Sequence, residues 1–229
     1  MFELPAIVTA GLTGFISGLL LSIPVGPINL TIMNEGAQRG FRSALLIGLG
    51  ATVMEVIYCA IALTGFAAFF QSVWVKSGME VFSFAFMLLL GIKFLMAKTV
   101  VAPLHISKTA DRLEERLEDK LRHHSAFMTG MVRVAGNVGV LLLWIILAAN
   151  FMSREWVQPT WEGKLVCLAG VTLGMGVWFV GLSWAVSFGH GKFSEKTLLR
   201  MEHFSGVGLL IIALIHGGNI AWQLAKYRM

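Results

Sequence analysis

The chain has 229 residues, of which 56% are hydrophobic and only 14% charged, with a formal net charge of +5. A soluble domain is nearer a quarter charged, so a chain this apolar lacks the polar surface to cover itself in water; a bilayer removes that requirement. The basic residues crowd the ends of apolar segments, where topology determinants sit, so the positive charge points to membrane orientation and not to nucleic acid.

A spanning helix needs about 20 mostly apolar residues, and six such segments are predicted. The first runs from Ala6 to Asn34 and is interrupted by Pro24-Val25-Gly26-Pro27. The second covers Ser43–Phe70 and the third Met79–Ala97. A polar stretch from Lys98 to Ser125 follows, whose centre from His105 to His124 reads as a helix with a Leu113, Leu117, Leu121 stripe. The fourth span is Ala126–Phe151, the fifth Gly163–Phe188 and the sixth His203–Lys226. The expected fold is therefore an all-α polytopic membrane protein of six transmembrane helices. It forms one transmembrane domain over 1–229: a first half 1–97, a charged cytoplasmic loop 98–125 and a second half 126–229. No cleavable signal peptide is expected, because the start Met1-Phe2-Glu3-Leu4-Pro5 has no basic region.

The loops after spans one, three and five carry eleven Lys and Arg, and the opposite side five. The positive-inside rule then puts those three loops in the cytoplasm and both termini outside. The location is a plasma or inner cell membrane.

Two prolines and a glycine within four residues should unwind the first span near Ile23 to Ile28. Lipid offers no partners for the freed backbone groups, so such a break must face protein or water. Transporters use broken helices as binding sites, because a half-helix N-terminus presents free N–H groups to an anion. Pro24, Val25, Gly26, Pro27 and Ile28 are thus candidate substrate-binding positions, and Asn29, just beyond, adds a donor and an acceptor. A packing kink is the competing reading.

Glu55 lies deep in span two. An intramembrane carboxylate is costly and marks function by default; it could bind a substrate ammonium or carry a coupling proton, or make a structural hydrogen bond. Span four has a second weak point at Gly136-Asn137-Val138-Gly139, with Arg133 one turn earlier, placed to snorkel or to hold a carboxylate. Span six contributes His216, followed by two glycines. Lys93 snorkels at the end of span three. Gly48, Gly50 and Gly65 in span two and Gly170, Gly174, Gly176 and Gly181 in span five suit close helix packing. Both halves have an interrupted first helix and a glycine-rich second, and three spans per half means that they face opposite ways, a 3+3 inverted repeat. Cys59 and Cys167 sit in apolar runs with no metal-ligand spacing and read as small buried residues.

The run Ile23-Pro24-Val25-Gly26-Pro27-Ile28-Asn29-Leu30, then Arg39-Gly40-Phe41, Gly48-Leu49-Gly50, Glu55 and Gly65 resembles the N-terminal half of the LysE/RhtB family of amino-acid exporters. Leu89-Leu90-Gly91-Ile92-Lys93 is similar to the end of that family's third helix, and Phe127-Met128-Thr129-Gly130 with Asn137 to its fourth. This chain has Asn137-Val138 where the family often has Asn-Pro, and Glu55 where it usually has Asp. The resemblance implies a secondary exporter of amino acids or related small polar metabolites, driven by the proton or cation gradient. Glu55 would be the coupling group, and Asn29, Asn137 and His216 would lie around the substrate. The implied partners are a small-molecule substrate and the bilayer, and a bundle this small can pair as a homodimer. No catalytic residue, cofactor, metal or nucleic acid is expected, and the chain is not read as an enzyme. A metal-ion exporter and a thiol-based electron carrier through Cys59 and Cys167 are the alternatives. No nucleotide-binding loop is present, which argues against ATP-driven transport.

Overall fold

The computed structural model describes residues 4–24, 26–65, 81, 84–85, 88–89, 91–96, 125–188 and 195–226. The described elements are helices: α1 Leu4–Ser22, α2 Pro27–Arg39, α3 Phe41–Gly65, α4 Ala126–Ala135, α5 Val138–Ser153, α6 Trp161–Phe188 and α7 Glu195–Lys226. The protein is an all-α polytopic membrane protein. Helices α1, α3 and α6 are each long and apolar enough to cross a bilayer, and so is the bent pair α4–α5 taken together. The sixth expected segment is helical throughout and extends back to Glu195 as α7. The third expected span is described only in part, helical at residues 81, 84–85, 88–89 and 91–95, and Val25 and the charged loop 98–124 lie outside the described residues.

The first span is broken where the prolines predict. Helix α1 stops at Ser22, and α2 starts with Pro27 as its first residue, behind Gly26 in an extended conformation (φ −105°, ψ −176°). Proline fits there because that N–H would have no helical partner anyway. Helix α2 ends at Gly40, whose φ of +81° is a conformation glycine adopts without strain, and α3 begins on the next residue. The fourth span breaks at Gly136-Asn137, and its two pieces diverge by 69°.

In a bilayer, apolar burial does not drive helices together; close backbone approach does. The glycines show where it happens. A Cβ on Gly14 would strike the Cys167 carbonyl, one on Gly170 the Gly11 carbonyl and one on Gly174 the Phe15 carbonyl, so α1 lies in backbone contact along α6. On the other side, a Cβ on Gly50 would strike the Phe127 carbonyl and one on Gly130 the Ile47 carbonyl, which fixes α3 against α4. The first helix of each half therefore packs on the second helix of the other half, the exchange expected of an inverted repeat. Gly65, Gly176 and Gly181 meet nothing within 4 Å and take no part. The core between these helices includes Ile47, Ala51, Leu63, Trp144, Val171 and Met175, all nearly or fully inaccessible.

Candidate functional site

Each helix break gathers its own polar cluster. At the first, proline chemistry leaves the carbonyls at the end of α1 without helical donors. Asn29, 3% exposed in the first turn of α2, turns back to supply them. Its amide nitrogen donates to the carbonyls of Ser22 at 2.8 Å and Pro24 at 2.7 Å, and lies 3.4 Å from that of Ile23. Its side-chain oxygen accepts from the Trp178 indole N–H on α6 at 3.2 Å. Asn29 thus splints the break and ties it to the opposite half; both its functions are directed at protein.

The N-terminus of α2 is left differently. Its first intrahelical bond runs from the Leu30 N–H to the Gly26 carbonyl, 3.1 Å, and Gly26 has no side chain to cap the end. The N–H groups of Ile28 and Asn29 precede that bond and form the positive end of the half-helix dipole. Pro24, Gly26, Pro27 and Ile28 are all half-buried around this end.

The second break is closed by side chains. Asn137 is the N-cap of α5, its side-chain oxygen accepting from the Val140 N–H at 3.3 Å. The Tyr58 hydroxyl donates to the Ala135 carbonyl at 2.8 Å, satisfying the end of α4 from across the α3 interface. One turn before Tyr58 on the same face lies Glu55, half-buried, whose Oε2 accepts from the Trp144 indole N–H of α5 at 2.8 Å. Trp144 is fully buried. Glu55, Tyr58, Trp144 and the Gly136-Asn137 turn are thereby joined into one cluster, with Glu55 the acidic member.

The two clusters mirror each other. In each, a tryptophan N–H crosses between halves to a side-chain oxygen: α6 to α2 at Trp178–Asn29, and α5 to α3 at Trp144–Glu55. The sequence reading missed Trp144, Trp178 and Tyr58. The available signal was the rule that an indole or phenol placed deep in an apolar helix needs a polar partner.

Among the other candidates, Arg133 is half-buried in the last turn of α4, and Lys93 is exposed, as snorkelling requires. His216 falls in α7, but its side chain lies outside the described residues, as does Val25. Outside both clusters, a cavity of about 290 Å³ runs between α1, α5 and α7, lined mainly by apolar side chains such as Leu12, Ile16, Leu20, Leu147 and Phe151. It reaches Leu21, next to the Ser22 carbonyl that Asn29 holds. Among the described residues no three His, Cys, Asp or Glu side chains are grouped to hold a metal ion.

The family described as LysE type translocator matches the chain over residues 19–216, a span that contains both helix breaks and Glu55. A protein of Bacillus subtilis (strain 168), named "Putative amino acid efflux protein YcgF", is 24% identical over 206 residues, covering 90% of this chain and 94% of that protein. No solved structure matches the chain.

Proposed function

The chain belongs to the LysE type translocator family, and from that premise we propose that it exports amino acids or closely related small polar metabolites, coupled to the proton or cation gradient. The observation that carries this reading is the uncapped N-terminus of α2, a half-helix end inside the bilayer whose N–H groups are not covered by a cap of their own. A solute carboxylate is the group such an end attracts. The name of the Bacillus subtilis relative supports efflux as the direction and amino acids as the class.

In this reading the Ile28 and Asn29 N–H groups hold the carboxylate, with Pro24, Val25, Gly26 and Pro27 shaping the bend that exposes them. Asn29 acts through the break by fixing the carbonyls of Ser22 and Pro24. Glu55 takes the solute ammonium or the coupling proton, and Trp144 sets the position of its carboxylate. Asn137 keeps the second break in shape, and His216 of the sixth span is a further substrate-binding candidate. The apolar cavity beside α1 offers room for a solute side chain. Both termini lie on the non-cytoplasmic side, and the bundle pairs as a homodimer. A translocator moves its solute unchanged, so no catalytic residue is assigned.

Efflux of a panel of labelled amino acids from cells expressing wild type or Glu55→Gln tests the reading. Efflux of one class by the wild type, lost in the variant, is expected. An absence of amino-acid efflux by well-expressed wild type overturns the substrate assignment.

A further inference from the structure

The cavity beside α1 has a direction. Its α1 wall runs from Thr9 to Leu21, about 18 Å of helix. One end lies at the first helix break. Leu20 and Leu21 are the last α1 residues on the lining, and the next residue, Ser22, gives its carbonyl to the Asn29 amide in the first turn of α2 at 2.8 Å. The other end lies at Thr9 and at Trp156, in the turn between α5 and α6. The cavity therefore leads from the uncapped half-helix end toward the face of the bundle that carries that turn.

Its lining decides what fits. Leu147, Phe151 and Leu209 are core walls, each no more than 5% exposed. Leu12 and Ile16 form an exposed rim toward the bilayer. The polar positions Thr9, Thr13, Ser17 and Asn150 are all neutral, and among the described residues no acidic or basic side chain lines the cavity. A charged solute side chain there would lie beside lipid with no counter-ion, which is costly. An apolar one would not, and there is room: an apolar cavity of about 150 Å³ already takes a benzene ring, against about 290 Å³ here. A lipid tail needs apolar walls alone. Thr9, Thr13 and Ser17 instead share one face of α1 at a four-residue spacing, and Asn150 is 1% exposed. Mostly apolar walls with a few polar groups are the make-up of a small-molecule pocket.

We propose that this cavity is the side-chain pocket of the export site, and that it restricts the solute to amino acids with a large, uncharged, apolar side chain of leucine, methionine or phenylalanine type. The proposal rests on the export reading above. With the carboxylate at the Ile28 and Asn29 N–H groups, the side chain enters beside Leu20 and Leu21. Ser17, one turn before Leu21, sets the depth of the pocket.

The test is efflux of labelled leucine, phenylalanine, alanine, lysine and glutamate from cells expressing wild type or Ser17→Phe. Wild type is expected to export leucine and phenylalanine well ahead of lysine and glutamate. Ser17→Phe fills the pocket, and loss of room for even one methylene group is worth about tenfold in selection, so the ratio of leucine to alanine efflux should fall by at least that factor. Lysine or glutamate exported as fast as leucine by the wild type overturns the pocket and leaves amino-acid export standing. So does an unchanged leucine-to-alanine ratio in well-expressed Ser17→Phe, the result expected of a groove filled by a lipid tail. No amino-acid efflux by well-expressed wild type removes both readings. Where Ser17→Phe fails to accumulate, Thr13→Leu takes its place in the ratio, and the wild-type panel still decides between apolar and charged solutes.

Discussion

Trp144 on α5 donates its indole N–H to Glu55 on α3 at 2.8 Å, and so joins the helix that follows the second break to the acidic group of the first half. The contact has a counterpart in Trp178 and Asn29 at 3.2 Å, across the other exchange of halves. Each bond spans the two halves, so a rocking of one half against the other, the usual motion of an inverted repeat, would load both.

The Trp144–Glu55 pair separates positioning from proton coupling. Trp144→Phe keeps the ring and loses the donor, and a hydrogen bond to a charged group is worth about 1.5–3 kcal/mol. We expect Trp144→Phe to slow efflux severalfold while efflux still varies with pH. Glu55→Gln keeps the size and an acceptor for Trp144 but cannot carry a proton, so its residual efflux should be flat with pH. Efflux measured between pH 5.5 and 8.5 in vesicles distinguishes them. A Glu55→Gln profile that follows the wild type removes Glu55 from the proton path.

Asn29 is expected to be a fold-critical residue because its amide donates to the Ser22 carbonyl and, together with the Gly26 N–H at 2.9 Å, to the Pro24 carbonyl at the break. Leaving a buried polar group without its partner costs about 1–3 kcal/mol, and two of the Asn29 contacts lie at or below 2.8 Å. Asn29→Asp retains the oxygen that Trp178 needs but not the donors. It should melt as low as Asn29→Ala, well below wild type, in a thermal unfolding series in detergent. Near-wild-type melting of Asn29→Asp would show that the carbonyls find other partners.

The location of both breaks was legible in the sequence because proline and glycine act on their own backbone. Pro24, Pro27 and the Gly136-Asn137 pair needed no tertiary knowledge. The use made of Asn29 was not legible: next to a break it could face a solute or the break itself, and only the chain path through Ser22 and Pro24 decides. Trp144, Trp178 and Tyr58 were hidden for a related reason, since their partners are remote in sequence and no local pattern names them. Glycine spacing was half informative. It marked α6 as a packing helix, but Gly170 and Gly174 share one face with α1 while Gly176 and Gly181 point elsewhere.

That glycine division gives a sharp contrast. Gly130→Ala places a methyl group into the Ile47 carbonyl and Gly14→Ala one into the Cys167 carbonyl. Backbone cannot yield as a flexible side chain can, so both variants should lose folded protein. Gly176→Ala and Gly181→Ala meet open space and gain helix propensity worth up to about 1 kcal/mol. They should melt at or above wild type. Size-exclusion profiles and melting curves of the four variants check the ranking, and equal behaviour would mean that α3–α4 and α1–α6 do not approach as closely as described.

The assignment of the α2 N-terminus to the solute carboxylate can be tested at Gly26 without touching Glu55. Gly26 is extended, not left-handed, and a Cβ there meets nothing within 4 Å, so other residues fit. Gly26→Ala adds a methyl group but no hydrogen-bonding atom, and should export normally. Gly26→Asp supplies a carboxylate at the N-cap, where side-chain capping and the helix dipole together stabilise by about 1 kcal/mol. That carboxylate occupies the N–H groups the solute would use. The expected outcome is efflux reduced tenfold or more in Gly26→Asp with melting no lower than Gly26→Ala, a loss of transport without a loss of fold. Full efflux in Gly26→Asp would place the solute carboxylate elsewhere and leave the first break as a hinge. A drop in melting alongside efflux would show instead that the half-helix end sits in too apolar a setting to hold any anion.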